Sequence, residues 1–137
     1  MPSDPPSTPG ELVASFIAHL ESGDLERALD LLAPDCTYDN VPFGPVVGVD
    51  AVRSTLAPFM AAFSTVEWRI LHQLESGSLA AGTVLNERLD RFGTTATDTE
   101  WLELAVAGVF EIHDHRIRLW RDYFDRAPLL DWMARRG

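Results

Sequence analysis

A chain of 137 residues, 46% of them hydrophobic, suits one domain with a real core. Its 11 basic and 21 acidic residues give a formal charge of −10, which argues against a nucleic-acid partner and against an anionic membrane surface. Cys36 is the single cysteine, so no internal disulfide can form and a cytoplasmic setting fits.

The opening MPSDPPSTPG lacks the basic-then-apolar pattern of a secretory leader. It reads as a flexible arm over residues 1–9, ahead of a single domain over 10–137. Thr8, Pro9 and Glu11 make a helix start, and Leu12, Val13, Phe16, Ile17 and Leu20 follow at helical spacing. SGD at 22–24 ends that helix, and Asp24 can cap a second one carrying Leu25, Ala28, Leu29 and Leu32, stopped by Pro34. CTYDNVPF (36–43) is strand-like and then broken by proline. Asp50 can cap a third helix, AVRSTLAPFMAAF, which Pro58 should kink or split.

From Ser64 the texture changes. Four long runs rich in β-branched and aromatic residues, STVEWRILHQLE, SLAAGTVLNERLDRF, TEWLELAVAGVFEI and RIRLWRDYF, are separated by turn-like stretches, the pattern of an antiparallel meander. DRAPLLDWMARRG closes the chain as a short helix capped near Asp125 and ending in two arginines that suit its dipole. The longest apolar run, LAVAGVF, is seven residues and too short to span a bilayer. Helices followed by strands is the α+β order. The expected object is a curved sheet, antiparallel or mixed, shaped into a cone with helices packed on its concave side and a ligand-sized cavity within.

Three stretches put polar groups where such a core would prefer apolar ones. Alternate strand residues share a face, so Tyr38 joins Asn40, Arg88 joins Asp90 with Asn86 and Phe92, and Asp122 joins Trp120 and Phe124. If these faces point into the cone, Tyr38, Asn40, Arg88, Asp90 and Asp122 meet in an apolar cavity. A lone buried carboxylate costs several kcal/mol (on the order of the penalty for an unpaired ion). An arginine between two carboxylates relieves much of that cost without neutralising both. One aspartate then stays ionised while the other keeps a proton, giving a base and an acid.

Each stretch also has a plainer reading. Arg88 with Asp90 can be an exposed ladder of charges, and Asp122 an edge-strand charge that blocks aggregation. Tyr38 can sit at the core edge, Asn40 in a turn. HDH at 113–115 falls where a hairpin turn belongs and has no third ligand in reach, so no metal site is expected.

Taken together, Y-x-N-x-P (Tyr38, Asn40, Pro42), G-x-D-A-V (Gly48 to Val52), E-R-x-D (Glu87 to Asp90), G-V-F (Gly108 to Phe110) and W-R-D-Y-F-D (Trp120 to Asp125) resemble the limonene-1,2-epoxide hydrolase family. That family lies within the nuclear-transport-factor-2-like superfold of cystatin-like α+β barrels, alongside SnoaL-like cyclases and ketosteroid isomerases. The resemblance runs from about Gly10 to Asp125.

It implies that Asp122 is the general base on an attacking water held by Tyr38 and Asn40. Asp90 is then the acid that protonates the epoxide oxygen, and Arg88 bridges the two aspartates. It further implies one-step hydrolysis of an apolar cyclic or aryl epoxide to a vicinal diol, with no covalent intermediate, metal or cofactor, in a homodimer formed through the open sheet face. Expected pocket walls are Trp101, Leu104, Val106, Phe124, Phe59 and Phe63. The absence of a G-x-S-x-G nucleophile motif agrees with a non-covalent route. The alternatives are an isomerase or cyclase using one aspartate as base, and a non-catalytic module that binds hydrophobic ligands.

Overall fold

The computed structural model describes residues 4–94 and 101–136. Helix α1 covers Pro9–Glu21, capped by the Thr8 hydroxyl, which accepts from the Glu11 N–H at 3.1 Å. The Ser7 N–H donates back to Glu11 at 3.0 Å, so Ser7 joins the helix start expected at Thr8 and Pro9. Its buried stripe is the expected Leu12, Val13, Phe16, Ile17 and Leu20.

Helix α2 covers only Leu25–Leu29, capped by Asp24. The expected extension to Leu32 does not form. Leu32 instead opens strand β1, Leu32–Asn40, as a buried inward residue. Pro34 lies inside β1 where its register shifts between Leu32 and Thr37, a place where a missing N–H costs no ladder bond. Strand β2, Gly44–Val47, was hidden in the sequence by Pro42 and Pro45; as an edge strand it tolerates proline.

Helix α3 covers Val49–Ala61 and runs through Pro58 as one element. Gly48, at φ 94°, is its N-cap, and Asp50 is a first-turn residue that accepts from Arg53 at 2.7 Å instead of capping.

The meander is β3 (Thr65–Gly77), β4 (Ala81–Gly93), β5 (Trp101–His113) and β6 (Arg116–Tyr123), followed by α4 (Ala127–Arg136). Thr99 and Glu100, read as the start of the third long run, lie outside the described residues. HDH makes the β5–β6 turn, with Asp114 and His115 at φ 49° and 66°, the left-handed pair such a turn requires. Strand order is β2-β1-β6-β5-β4-β3 in one open sheet. The meander pairs are antiparallel, and the β1–β6 pair is parallel, which makes the sheet mixed.

The fold is therefore α+β, with helices over one sheet face. Helix α1 packs on β3 and β4, α3 on β1 and β2, and α4 against β5. Trp120 sits fully buried at the centre, stacked on Tyr38 at 3.8 Å and meeting Phe16 edge-on at 5.0 Å. No helix among the described residues is long and apolar enough to cross a membrane.

Candidate active site

The strand registers assemble the site from residues far apart in the chain. Asn40 pairs with Asp122, Asp122 with Gly108, Gly108 with Asn86, and Asn86 with Gln73. These five form one continuous row across β1, β6, β5, β4 and β3, all on the helix-covered face. Two residues along β4 and β5, and three along β3 where the register shifts between Ile70 and His72, a second row carries Arg88 between Val106 and Ile70. The next row sets Asp90 between Leu104 and Trp68.

Arg88 is 1% exposed and reaches back across the row of five. Its Nε donates to Asp90 Oδ1 at 3.0 Å, and Nη2 donates to Asp90 Oδ2 at 3.0 Å and Asp122 Oδ2 at 2.9 Å. Nη1 donates to Asp122 Oδ1 at 3.3 Å and Asn86 Oδ1 at 3.0 Å. The exposed-ladder reading of Arg88 and Asp90 is thus overturned: both are buried, as is Asp122. The guanidinium carbon also lies 5.1 Å from the Trp68 ring centroid, where the ring face adds attraction for a desolvated cation.

The charges are unequal, two carboxylates to one cation. Burial pushes the Asp90 carboxyl up to about 6. Arg88 opposes that rise, and the charges of Asp122 and Glu21 add to it. The Tyr38 hydroxyl is raised above its ordinary range, first by burial and then by the Asp122 charge, so it stays a neutral donor. Arg88 is held firmly charged: its two carboxylates outweigh the cost of burial.

A cavity of about 200 Å³ opens beside these groups, with Tyr38, Asn40, Asp90 and Asp122 in its wall. Of the expected apolar walls, Phe59, Leu104, Val106 and Phe124 line it. Trp101 does not. Inward residues of β5 are the even-numbered ones, so Trp101 belongs to the opposite face, where the Arg91 guanidinium lies 4.2 Å over its ring. Phe63 does not either. It follows α3 and packs behind the wall on Phe59 and Phe92, at 5.0 and 5.2 Å.

Trp68, whose bulk was expected around the cavity alongside Phe59, also lines it, and Phe92, Phe43 and Leu129 are wall residues that sequence reading did not name. The parity of its strand was the available signal for Phe92. The Asn86 contact could not be foreseen, although its side of the strand could. Gly108 is the other omission. A Cβ there would stand 2.5 Å from Arg88 Nη1 and 2.7 Å from Asn86 Oδ1, so the guanidinium occupies the space a side chain would take. Gly108→Ala is expected to cost about 1–3 kcal/mol and to lower turnover at least ~10-fold, because five bonds prevent Arg88 from yielding. Thermal melts and initial rates on one preparation check this.

Among the described residues no group of three or more His, Cys, Asp or Glu could hold a metal ion.

An arginine-bridged aspartate pair beside an apolar cavity in an α+β sheet is an arrangement with the chemistry to give and take a proton. The model of the limonene-1,2-epoxide hydrolase catalytic domain matches residues 7–135. Epoxide hydrolase EphG of Mycobacterium tuberculosis is 34% identical over 113 residues, covering 82% of this chain and 70% of that protein. A solved M. tuberculosis LEH-like epoxide hydrolase is 30% identical with a TM-score of 0.70, covering 90% of this chain and 87% of that one. An NTF2-like protein of unknown function from Cytophaga hutchinsonii shares the fold at a TM-score of 0.65 and 18% identity, over 93% of this chain and 99% of that one. The chain belongs to the limonene-1,2-epoxide hydrolase family.

Proposed function

We propose that the protein adds water to an apolar cyclic or aryl epoxide in one step. In this reading Asp122 takes a proton from a water held by Tyr38 and Asn40. The water oxygen bonds to an epoxide carbon as that carbon–oxygen bond breaks, and the freed oxygen takes the proton of Asp90. The product is a vicinal diol. The dyad resets when the proton now on Asp122 returns to Asp90. No covalent intermediate, metal or cofactor enters this scheme.

The observation that carries the reading is the buried arrangement of two aspartates on one arginine at the wall of the cavity. Unequal charge leaves room for one shared proton. The raised Asp90 carboxyl suits the acid, since it holds its proton to a higher pH than an ordinary aspartate. The surrounding phenylalanines and aliphatic side chains favour an apolar substrate.

The test is diol formation from limonene oxide, cyclohexene oxide and styrene oxide. Turnover of at least one supports the reading. Failure of the folded protein on all three sinks it and favours ligand binding or isomerisation. The pH profile adds a second check. The acid must be protonated, so kcat/KM is expected to fall as pH rises through about 6, the Asp90 value.

The same proposal includes a homodimer through the other sheet face, where Leu85, Ala105 and Ala107 are exposed. Light scattering of the purified protein decides that part.

A further inference from the structure

Arginine has five N–H donors, and here all five are used. Four go to carboxylate oxygens. The fifth goes to a neutral amide, Asn86 Oδ1, at 3.0 Å. Asn86 is 6% exposed and does not line the cavity; its side-chain bond toward the site is the one from Arg88.

The amide is itself held. Asn86 Nδ2 donates to Gln73 Oε1 at 3.2 Å, and Gln73 Nε2 donates to the Gly10 carbonyl at 3.1 Å. The Gly10 N–H in turn donates to Glu75 at 3.0 Å. Gly10 lacks the side chain that would meet the Gln73 amide, since a Cβ there would stand 3.0 Å from Nε2.

The relay has a direction. A backbone carbonyl can only accept, so it turns the Gln73 nitrogen toward α1 and the Gln73 oxygen toward Asn86. That oxygen turns the Asn86 nitrogen outward and the Asn86 oxygen toward Arg88. An Asn86 flipped the other way would set an NH2 against a guanidinium, a donor against a donor.

We propose that Asn86, oriented by Gln73 and the first turn of α1, is a positioning residue that fixes the rotation of the Arg88 guanidinium and so the placement of both aspartates. Without it, Nη1 loses the partner on its far side and the fork can turn about Nε–Cζ. Asp122 Oδ1, at 3.3 Å the longest of the five bonds, is then the contact first lost. Neutrality matters too, because a carboxylate here would be a third anion on one cation. The catalytic consequence rests on the hydrolase reading, whereas the geometric one does not.

The test uses Asn86→Leu and the milder Gln73→Met, which lies away from the cavity. Two readouts are needed. The first is 15N NMR of the arginine guanidinium groups, which needs no substrate. Separate, slowly exchanging Nη signals are expected for Arg88 in the parent, merging in both variants. The second is epoxide hydrolysis, with kcat falling about 10-fold or more and KM changing less than about twofold. Should Asn86→Leu fail to fold, Gln73→Met decides. Unmerged Arg88 signals in a folded variant overturn the proposal, and so does a merged spectrum with unchanged kcat. A parent that opens no epoxide defeats the hydrolase reading alone, and the NMR comparison still judges the positioning role.

Discussion

Asp122→Asn is expected to leave a folded protein whose kcat/KM for epoxides is lower by about 10²–10⁴-fold, the range a positioned proton acceptor supplies. Asparagine has nearly the shape of aspartate and keeps one oxygen to accept from Arg88, but it cannot take a proton from water. The substitution also removes one of two carboxylates competing for a single cation. Arg88 and Asp90 remain as a charge-balanced, bidentate pair at 3.0 Å, so burial of the remaining charges stays compensated. Diol formation by parent and variant, with far-UV circular dichroism and melting curves on the same samples, checks the prediction. A variant that retains activity within tenfold of the parent would remove Asp122 from the role of base.

Arg88→Met has the larger effect on stability. It leaves Asp90 and Asp122, 3% and 4% exposed, with no counter-charge. Breaking a buried pair by deleting one partner costs about 3–5 kcal/mol, a large share of the roughly 5–15 kcal/mol that holds a domain together. The cost should depend on pH, with a definite sign. In the parent, burial raises the Asp90 carboxyl and Arg88 restrains it. Removing Arg88 drives it higher, so the native state binds protons more tightly than the unfolded chain. Stability then falls as pH rises from about 4, the unfolded value, through the raised native one. The deficit of the variant relative to the parent is therefore expected to be greater at pH 8 than at pH 5. Equal deficits in urea titrations at both pH values would mean that Arg88 acts by packing and not by charge.

Both expectations depend on a cluster only partly legible in the chain. Period-two alternation placed Arg88 beside Asp90 and Tyr38 beside Asn40, because a strand turns successive side chains to opposite faces whatever its neighbours are. The same local rules gave the caps at Thr8 and Asp24 and the turn at Asp114 and His115, each a matter of a few adjacent residues. They also failed locally. Leu32 fits a helical stripe and a strand face equally well, and packing in β1 decided between them. Trp101 and Phe63 have the composition of pocket walls, but one lies on the outer face and the other behind the wall.

Alternation within the strands, the starts of α1 and α2 and the meander were determined by the sequence itself, since each depends on bonds and sterics within a few residues or on a simple period. The tertiary structure decided which strands are neighbours and in what register. The parallel pairing of β1 with β6 brings Asn40 to Asp122, and the row through Gly108 gives the guanidinium its space and Asn86 its role. Register is settled by all the inward side chains packing against the helices at once, and a slip of one residue would turn every one of them to the other face. No stretch of the chain read by itself carries that constraint.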